Sequence, residues 1–415
     1  MSKTDSKMTL SEELQWRGQI KDKTFEPVNW LDTPRVFYLG ADVGSSDSLQ
    51  VGNLAVYMLA RRLVKAGWKP IMLVGGATSL IGDPGGKTEE RPLVSKETVE
   101  HNKKSIAAQV KRLFGDIDFT LVDNYDWFKD VGYLQFLRDV GKHYSLTELI
   151  QRDFIASRIG ENSSGISYAE FSYSLIQGYD YWHLFKHHNV VLQIGGSDQW
   201  GNMLSGVPLI RKKEGAEVHA LSMPLVINKS TGKKFGKSED GAVWLDADKT
   251  SVYQFYQFWL NVDDEGVEDY LKIYSELNKI ELETLINSFS ADKAGRSAQK
   301  VLAKEVTRIV HGSERAESAE RVTAVLFGRA DFKELTAADI DLLKDELTVV
   351  QAQETMAQTV VKAGLASSNS EANRFIAAGA LTLNGEKVTP EHTGVSKGTH
   401  LLKRGKNNFA IIEHA

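Results

Sequence analysis

Cysteine is absent from this chain of 415 residues. That excludes disulfides, iron–sulfur clusters, thiolate zinc sites and a thiol nucleophile, and it fits a reducing compartment. Proline is scarce, with 8 residues against 34 glycines, so few rigid linkers and many close backbone approaches are expected. No run of about 18 apolar residues occurs, and Met1 to Trp16 lacks the apolar core of a secretion signal. A soluble, cytoplasmic protein with no membrane partner is therefore expected. The ten histidines form no HExxH-type pattern, and no metal site held by the protein itself is expected. What is present is ordinary for a globular protein: 42% hydrophobic and 25% charged residues, which excludes a disordered tail, a collagen and a coiled-coil rod. The length suggests two or three domains at roughly 150 residues each. The formal charge of −5, taken alone, argues against a nucleic-acid partner.

Short β-type runs alternate with helical stretches in the first half. Val36 to Leu39, Pro70 to Val74, Phe119 to Val122 and Val190 to Ile194 read as strands, and Val51 to Ala66 reads as an apolar helix. This alternation predicts an α/β protein built on a doubly wound parallel sheet, which binds ligands at the carboxyl ends of its strands. Tyr38 to Asn53, Gly75 to Pro84 and Gly195 to Asn202 fall there. After about Ile227 the pattern becomes a Lys/Gly-rich loop, then roughly 90 residues of amphipathic helix that include Tyr253 to Leu260 and Ala298 to Val310. The expected division is a catalytic domain at 1–228, a lysine loop with an α-helical domain at 229–330, an acidic linker at 331–349, and a small α+β domain at 350–415.

Two segments suggest nucleotide chemistry. Gly40 to Asn53 is a strand-to-helix turn, where helix N-terminal donors favour phosphate. Gly52 leaves room for a nucleotide ring, and Gln50 and Asn53 share one side of the helix. An ordinary helix capped by Ser48 or Asp47 explains the same residues equally well. The second segment, Gly232 to Ser238, places three lysines among glycines and suits a mobile loop closing on pyrophosphate oxygens, although lysine runs are usually just solvated.

Longer stretches decide more: Gly75-Gly76-Ala77-Thr78-Ser79-Leu80-Ile81-Gly82-Asp83-Pro84, Asn124 to Trp127, Glu170 to Tyr173, Gln177 to Asp180, and Gln193 to Asn202. With these the chain resembles the bacterial-type tyrosyl-tRNA synthetases, which are class I aminoacyl-tRNA synthetases, over nearly its whole length. Lys234 to Ser238 is similar to the family's KMSKS loop in its KFGKS form. The resemblance implies a Rossmann-like catalytic domain and a homodimer. It also implies ATP as substrate with Mg²⁺ travelling on it, L-tyrosine, and tRNA(Tyr). Tyrosine would be held by Tyr38, Thr78, Asp83, Asn124, Tyr173, Gln177, Asp180 and Gln199. Tyr38 and Asp180 would bracket the phenol, while Asp83, Tyr173 and Gln177 would surround the ammonium group. ATP would meet Gly40, Asp42, Gln50, Gly52, Asn53, Gly196, Asp198, Lys234, Lys237 and Ser238, with Gln50, Asn53, Lys234 and Lys237 in catalytic positions.

Side-chain chemistry agrees with this assignment. Tyr173, Gln177 and Asp180 stand at i, i+4 and i+7, one helical face. Such groups on an otherwise apolar helix are costly to bury unpaired, so something polar should meet them. Phenylalanine would leave Asp180 and Tyr38 without partners. Rejection of about 10⁵-fold without editing is a figure that belongs to this family as a whole.

The ATP turn departs from the family. It is one residue longer, lacks the usual proline and threonine, and carries Gln50 and Asn53 in place of both signature histidines. An amide can donate much as a neutral imidazole does, so activity with altered ATP handling is expected. A catalytically impaired, synthetase-like RNA-binding protein is the alternative. A ligase for another amino acid, such as tryptophan, is a third reading, disfavoured by Asp180 with Tyr38 because an indole N–H needs only an acceptor. Residues 350–415 resemble a small RNA-binding domain shared with a ribosomal protein, through Ala363 to Ala366, Ser368 to Arg374 and Gly379 to Gly385. Asn373 replaces its usual second basic residue. Arg374, Lys403 and Arg404 are its candidate tRNA contacts. This segment carries 7 Lys/Arg and 5 Asp/Glu, so the negative total hides a positive tail.

Overall fold

Apolar runs bounded by glycine and polar turns become the strands of a six-stranded sheet. The computed structural model describes residues 8–83, 94–115, 117–156, 158–159, 165–238, 241–392 and 394–414, with the backbone alone for Asp153, Phe154, Lys237 and Ser238. Pro84 and the side chains of Lys237 and Ser238 thus lie outside the described part. The chain divides into two compact units, Met1–Lys249 with Val262–Ala298, and Thr250–Asn261 with Gln299–Ala415.

In the first unit the parallel strands are β1 (Val36–Ala41), β2 (Lys69–Val74), β3 (Thr120–Asp123), β4 (Val190–Gly196) and β5 (His219–Met223). Their spatial order is β5-β4-β1-β2-β3, with Asp22–Lys23 added antiparallel outside β5. Strands buried on both faces read as continuous apolar runs, as in Pro70 to Val74, where every residue is buried. The sequence did not suggest β5 or the Asp22–Lys23 edge. His219 and Ser222 interrupt the apolar run there, yet both are buried. Ser222 Oγ donates to Asp22 Oδ2 at 2.7 Å, and Ala220, next to His219, donates its N–H to Thr24 Oγ1 at 2.9 Å.

The order reverses between β1 and β4, and the crevice at that reversal is where a doubly wound sheet places its ligand. Five helices surround it: α1 (Val51–Lys65), α2 (Gly76–Ile81), α3 (Lys96–Phe114), α4 (Tyr168–His188) and α5 (Trp200–Glu214). A later helix, α6 (Val267–Tyr274), belongs to the same unit. Helix α4 starts in a reciprocal cap between Ser167 and Glu170 and ends at Asn189 in the left-handed region. Glu170 is further clamped by Arg158 through two bonds of 2.8 and 2.9 Å. A Cβ on Gly206 of α5 would come within 2.5 Å of the Tyr181 ring on α4. Glycine there lets the two helices pack closely, which fixes the face carrying Tyr173 and Asp180.

The second unit contains the helix Val252–Leu260, then Ser297–His311 from Gln299 onward, α7 (Ser313–Leu326), α8 (Ala337–Glu346), α9 (Met356–Lys362) and α10 (Asn369–Ala377). Its sheet runs β8-β7-β9-β10-β6, with β6 (Thr348–Gln351), β7 (Leu381–Leu383), β8 (Glu386–Lys387), β9 (Gly398–Arg404) and β10 (Asn408–His414). Alternation along β9 and β10 sends Leu402, Ala410 and Ile412 into one core with Met356, Val360 and Ile376. Leu401 and Ile411 enter another with Leu326, Phe332 and Leu343. Residues 331–349, read from sequence as an acidic linker, therefore hold α8 and the first two residues of β6. Asp339 in that segment is fully buried and takes hydrogen bonds from Ser318 and Arg321.

Candidate active site

Asp180 is the centre of the crevice. Helix α4 carries it inward, and it is buried. Its carboxylate accepts from Trp127 Nε1 at 2.9 Å and from Asn124 Nδ2 at 3.1 Å. Burial disfavours the charged form and outweighs these donors, so its pKa rises to about 7. Tyr38, from the middle of β1, is also buried, and its hydroxyl has no hydrogen-bond partner among the described residues. Burial and the Asp180 charge push the Tyr38 phenol well above its usual range. A buried donor without a partner beside a buried carboxylate is the arrangement that a ligand hydroxyl would complete.

A second set lines the same crevice. Asp83, just after α2, accepts from Gln199 Nε2 at 2.6 Å and from Asn202 Nδ2 at 3.2 Å. Asn124 bridges outward to Thr78 Oγ1 at 3.2 Å and takes the Ala77 N–H on its own oxygen at 2.7 Å. Tyr173 is raised by burial and by the charges of Asp83, Asp42 and Asp180. Its hydroxyl therefore sits in a field of three carboxylates, which suits a cationic group. Gln177 is half-buried on the same helix face.

The nucleotide turn is held differently from what the sequence suggests. Helix α1 is capped by Gln50, not by Ser48 or Asp47, and Asn53 Oδ1 accepts the Gln50 N–H at 3.0 Å. That contact occupies the amide oxygen and leaves the Asn53 NH₂ group to donate outward. The turn itself is pinned from α3. Gln109 Oε1 accepts the Leu49 N–H at 2.9 Å, Gln109 Nε2 donates to Asp47 O at 3.2 Å, and Asn102 Nδ2 donates to Val43 O at 2.8 Å. Asp42 Oδ1 accepts the Gly44 N–H at 2.8 Å. Gly40 ends the buried part of β1 and is itself exposed, and Gly52 is exposed in the first turn of α1. Gly196 closes β4, where a Cβ would meet Asp198 Oδ1 at 2.7 Å.

The lysine loop forms a hairpin, with Phe235 N donating to Val226 O and Asn228 N to Lys233 O. Lys234 Nζ lies 3.8 Å from Asp198 Oδ2. The segment that follows pairs with the start of α1, through Val51 N to Val243 O at 3.0 Å and Leu245 N to Leu49 O at 2.8 Å. The contacts thus link Asp180 with Asn124 and Thr78, Asp83 with Gln199, and Lys234 with Asp198, while the charges of Asp180, Asp83 and Asp42 reach Tyr38 or Tyr173. Trp127, Asn202, Asn102 and Gln109 belong with them, although sequence reasoning assigned them no role. Trp127 and Asn202 were signalled by the stretches that carry the resemblance, three after Asn124 and three after Gln199, whereas Asn102 and Gln109 lie in none of those stretches.

In the second unit Arg374 and Arg404 both act on Glu371, and the Arg404 guanidinium lies 4.9 Å from the Phe375 ring centroid. Lys403 points the other way, as its neighbouring strand position requires. It donates to the Leu326 carbonyl at 2.9 Å.

Residues 32–328 match the family model of class I tRNA synthetases for tryptophan and tyrosine. A tyrosine–tRNA ligase 2 of Bacillus cereus is 41% identical, over 98% of this chain and 99% of the relative. The chain belongs to the tyrosyl-tRNA synthetases. It is an aminoacyl-tRNA synthetase by that membership, and residues 339–412 match the family's tyrosine–tRNA ligase C-terminal domain. A tyrosine–tRNA ligase of Listeria monocytogenes is 40% identical over 98% of this chain and all of the relative. A C-terminally truncated mitochondrial tyrosyl-tRNA synthetase from Aspergillus nidulans superposes with a TM-score of 0.69 at 29% identity, covering 78% of this synthetase and 96% of that structure. Among the described residues no helix is long and apolar enough to cross a membrane.

Proposed function

We propose that the crevice binds L-tyrosine and ATP, and that the synthetase joins tyrosine to tRNA(Tyr) in two steps. The observation that carries this reading is the Tyr38 hydroxyl, without a hydrogen-bond partner among the described residues, and the buried Asp180 carboxylate whose charge acts on it. A substrate phenol donates to ionised Asp180 and accepts from Tyr38, which satisfies both groups. Its ammonium group is received among Asp83, Tyr173 and Gln177, with Gln199, Thr78 and Asn124 holding that wall in place.

The tyrosine carboxylate oxygen then attacks the α-phosphorus of ATP, and the bond to pyrophosphate breaks. No side-chain nucleophile is needed, so positioning and charge stabilisation carry the step. Lys234 and Lys237 supply positive charge, Gln50 and Asn53 donate from the start of α1, and Mg²⁺ arrives on ATP as part of the substrate. Asp198 beside Gly196 suits the ribose, and Gly40, Asp42, Gly52 and Ser238 complete the nucleotide site. In the second step a ribose hydroxyl at the tRNA 3′ end attacks the tyrosyl carbonyl and AMP leaves. Arg374 and Arg404 are the stronger candidates for phosphate contact, because Lys403 is committed to a backbone carbonyl.

The working form is proposed as a cytoplasmic homodimer. In support, Tyr133, Leu134, Leu146 and Tyr168 of the first unit are 62%, 80%, 61% and 63% exposed, large apolar side chains of the kind that a partner surface covers. Tyrosine-dependent exchange of pyrophosphate into ATP tests the reading, and its absence in well-folded protein would overturn it. An RNA-binding protein without ligation gains no support, since relatives matching the whole chain are named ligases.

A further inference from the structure

The lysine loop rests on two tyrosines that take no part in the two-step reaction itself. They lie one turn apart on α6, so both face the same way. The Tyr270 hydroxyl accepts the Lys229 N–H at 3.3 Å and lies 3.2 Å from the Ile227 carbonyl. One atom thereby grips the mouth of the hairpin. The Tyr270 ring stacks on Phe235 with centroids 4.3 Å apart and planes 27° from parallel. The Tyr274 ring backs the same phenylalanine at 6.0 Å, and its hydroxyl donates to the Val51 carbonyl at 3.2 Å, in the first turn of α1.

We infer that Tyr270 and Tyr274 are positioning residues for adenylate formation, a clasp that docks Phe235 and so sets where the loop lysines stand over the nucleotide. The clasp rests on the ligase reading and adds to it the device that holds the loop. Phe235 is buried while Lys234 beside it is 64% exposed at its side chain and directed towards Asp198. Drawing the phenylalanine inward therefore turns its neighbour towards the site. Gly236 comes next, with φ +95°, and a Cβ there would approach the Gly52 N–H nitrogen to 3.1 Å. The loop backbone therefore lies against the turn that carries Gln50 and Asn53. The clasp couples two parts of the nucleotide site and contributes no residue to the tyrosine pocket around Asp180.

The test compares full-length wild type with Tyr270→Leu, Tyr270→Phe and Tyr274→Phe. Three quantities are read: KM for ATP in pyrophosphate exchange, tyrosine Kd without ATP by tryptophan fluorescence, and the rate of tryptic cleavage after Lys233 and Lys234. Tyr270→Leu is expected to raise KM for ATP about tenfold or more and to speed cleavage comparably, with tyrosine Kd unchanged within about twofold. Tyr270→Phe keeps the stacking and loses the backbone grip, so it should fall between, as should Tyr274→Phe. Unchanged ATP dependence and cleavage would overturn the clasp. So would a parallel loss of tyrosine affinity, which would mark a general disturbance, and Tyr270→Phe keeps the test decisive if Tyr270→Leu does not fold. Absence of exchange in the wild type would instead sink the ligase reading, while the cleavage rates would continue to judge the clasp.

Discussion

The indole N–H of Trp127 donates to one carboxylate oxygen of Asp180 at 2.9 Å, and Asn124 donates to the other at 3.1 Å. Two donors do not offset burial, so the carboxyl still titrates near 7. The pocket is therefore poised: the group meant to accept the substrate phenol is only partly ionised near neutrality until something else pairs with it.

Tyrosine affinity should accordingly depend on pH. If the ionised carboxylate is the acceptor, Kd for tyrosine is about tenfold weaker at pH 6 than at pH 8. Fluorescence titration across that range measures it, and a flat profile would exclude Asp180 as acceptor. The stability of the free protein runs the opposite way. A pKa raised by folding contributes stability below the unfolded value near 4 and loses it as pH rises through about 7. Asp180→Asn should thus leave Tm unchanged at pH 4 and raise it at pH 8, by the equivalent of up to about 4 kcal/mol, while tyrosine binding is lost.

Trp127→Phe removes one donor and keeps an aromatic ring. With only Asn124 left on the carboxylate, the Asp180 pKa rises further. The midpoint of the tyrosine binding profile should move up by about one pH unit. An unchanged midpoint would mean that the indole contact does not act on Asp180.

Helix α3 offers a separate handle on the altered ATP turn. Gln109 and Asn102 are both buried and together bond to Val43, Asp47 and Leu49. They hold in place a turn that has no proline of its own between Gly40 and Asn53. Gln109→Ala should raise KM for ATP about tenfold, with tyrosine Kd unaffected. Gln109→Glu keeps the acceptor for Leu49 and should lose less.

Much of this was legible in the residues themselves. Four strands and the α1 helix followed from apolar runs between glycines, and the i, i+4, i+7 stripe of Tyr173, Gln177 and Asp180 was visible before any fold. What periodicity could not supply were contacts between distant segments. Trp127 meets Asp180 across 53 positions, and Gln109 meets Leu49 across 60. His219 and Ser222 hid a strand because buried polar residues look exposed until their partners at Thr24 and Asp22 are known. Asp339 reads as linker for the same reason, since a carboxylate clamped by Arg321 is indistinguishable in sequence from a solvated one.

The tail supplies the last contrast, between neighbours on one strand. Arg404 shares a face with Arg374, whereas Lys403 caps the end of α7 through the Leu326 carbonyl. Arg374→Ala and Arg404→Ala should each raise KM for tRNA in aminoacylation and reduce its dependence on log salt concentration by about one. Pyrophosphate exchange should not change, because that step uses no tRNA. Lys403→Ala should instead lower Tm, by the equivalent of about 1.5–3 kcal/mol for a charged hydrogen bond, and leave the salt slope as it was. Should Lys403→Ala alter the slope as the arginine variants do, the assignment of Lys403 to the interior contact would be wrong.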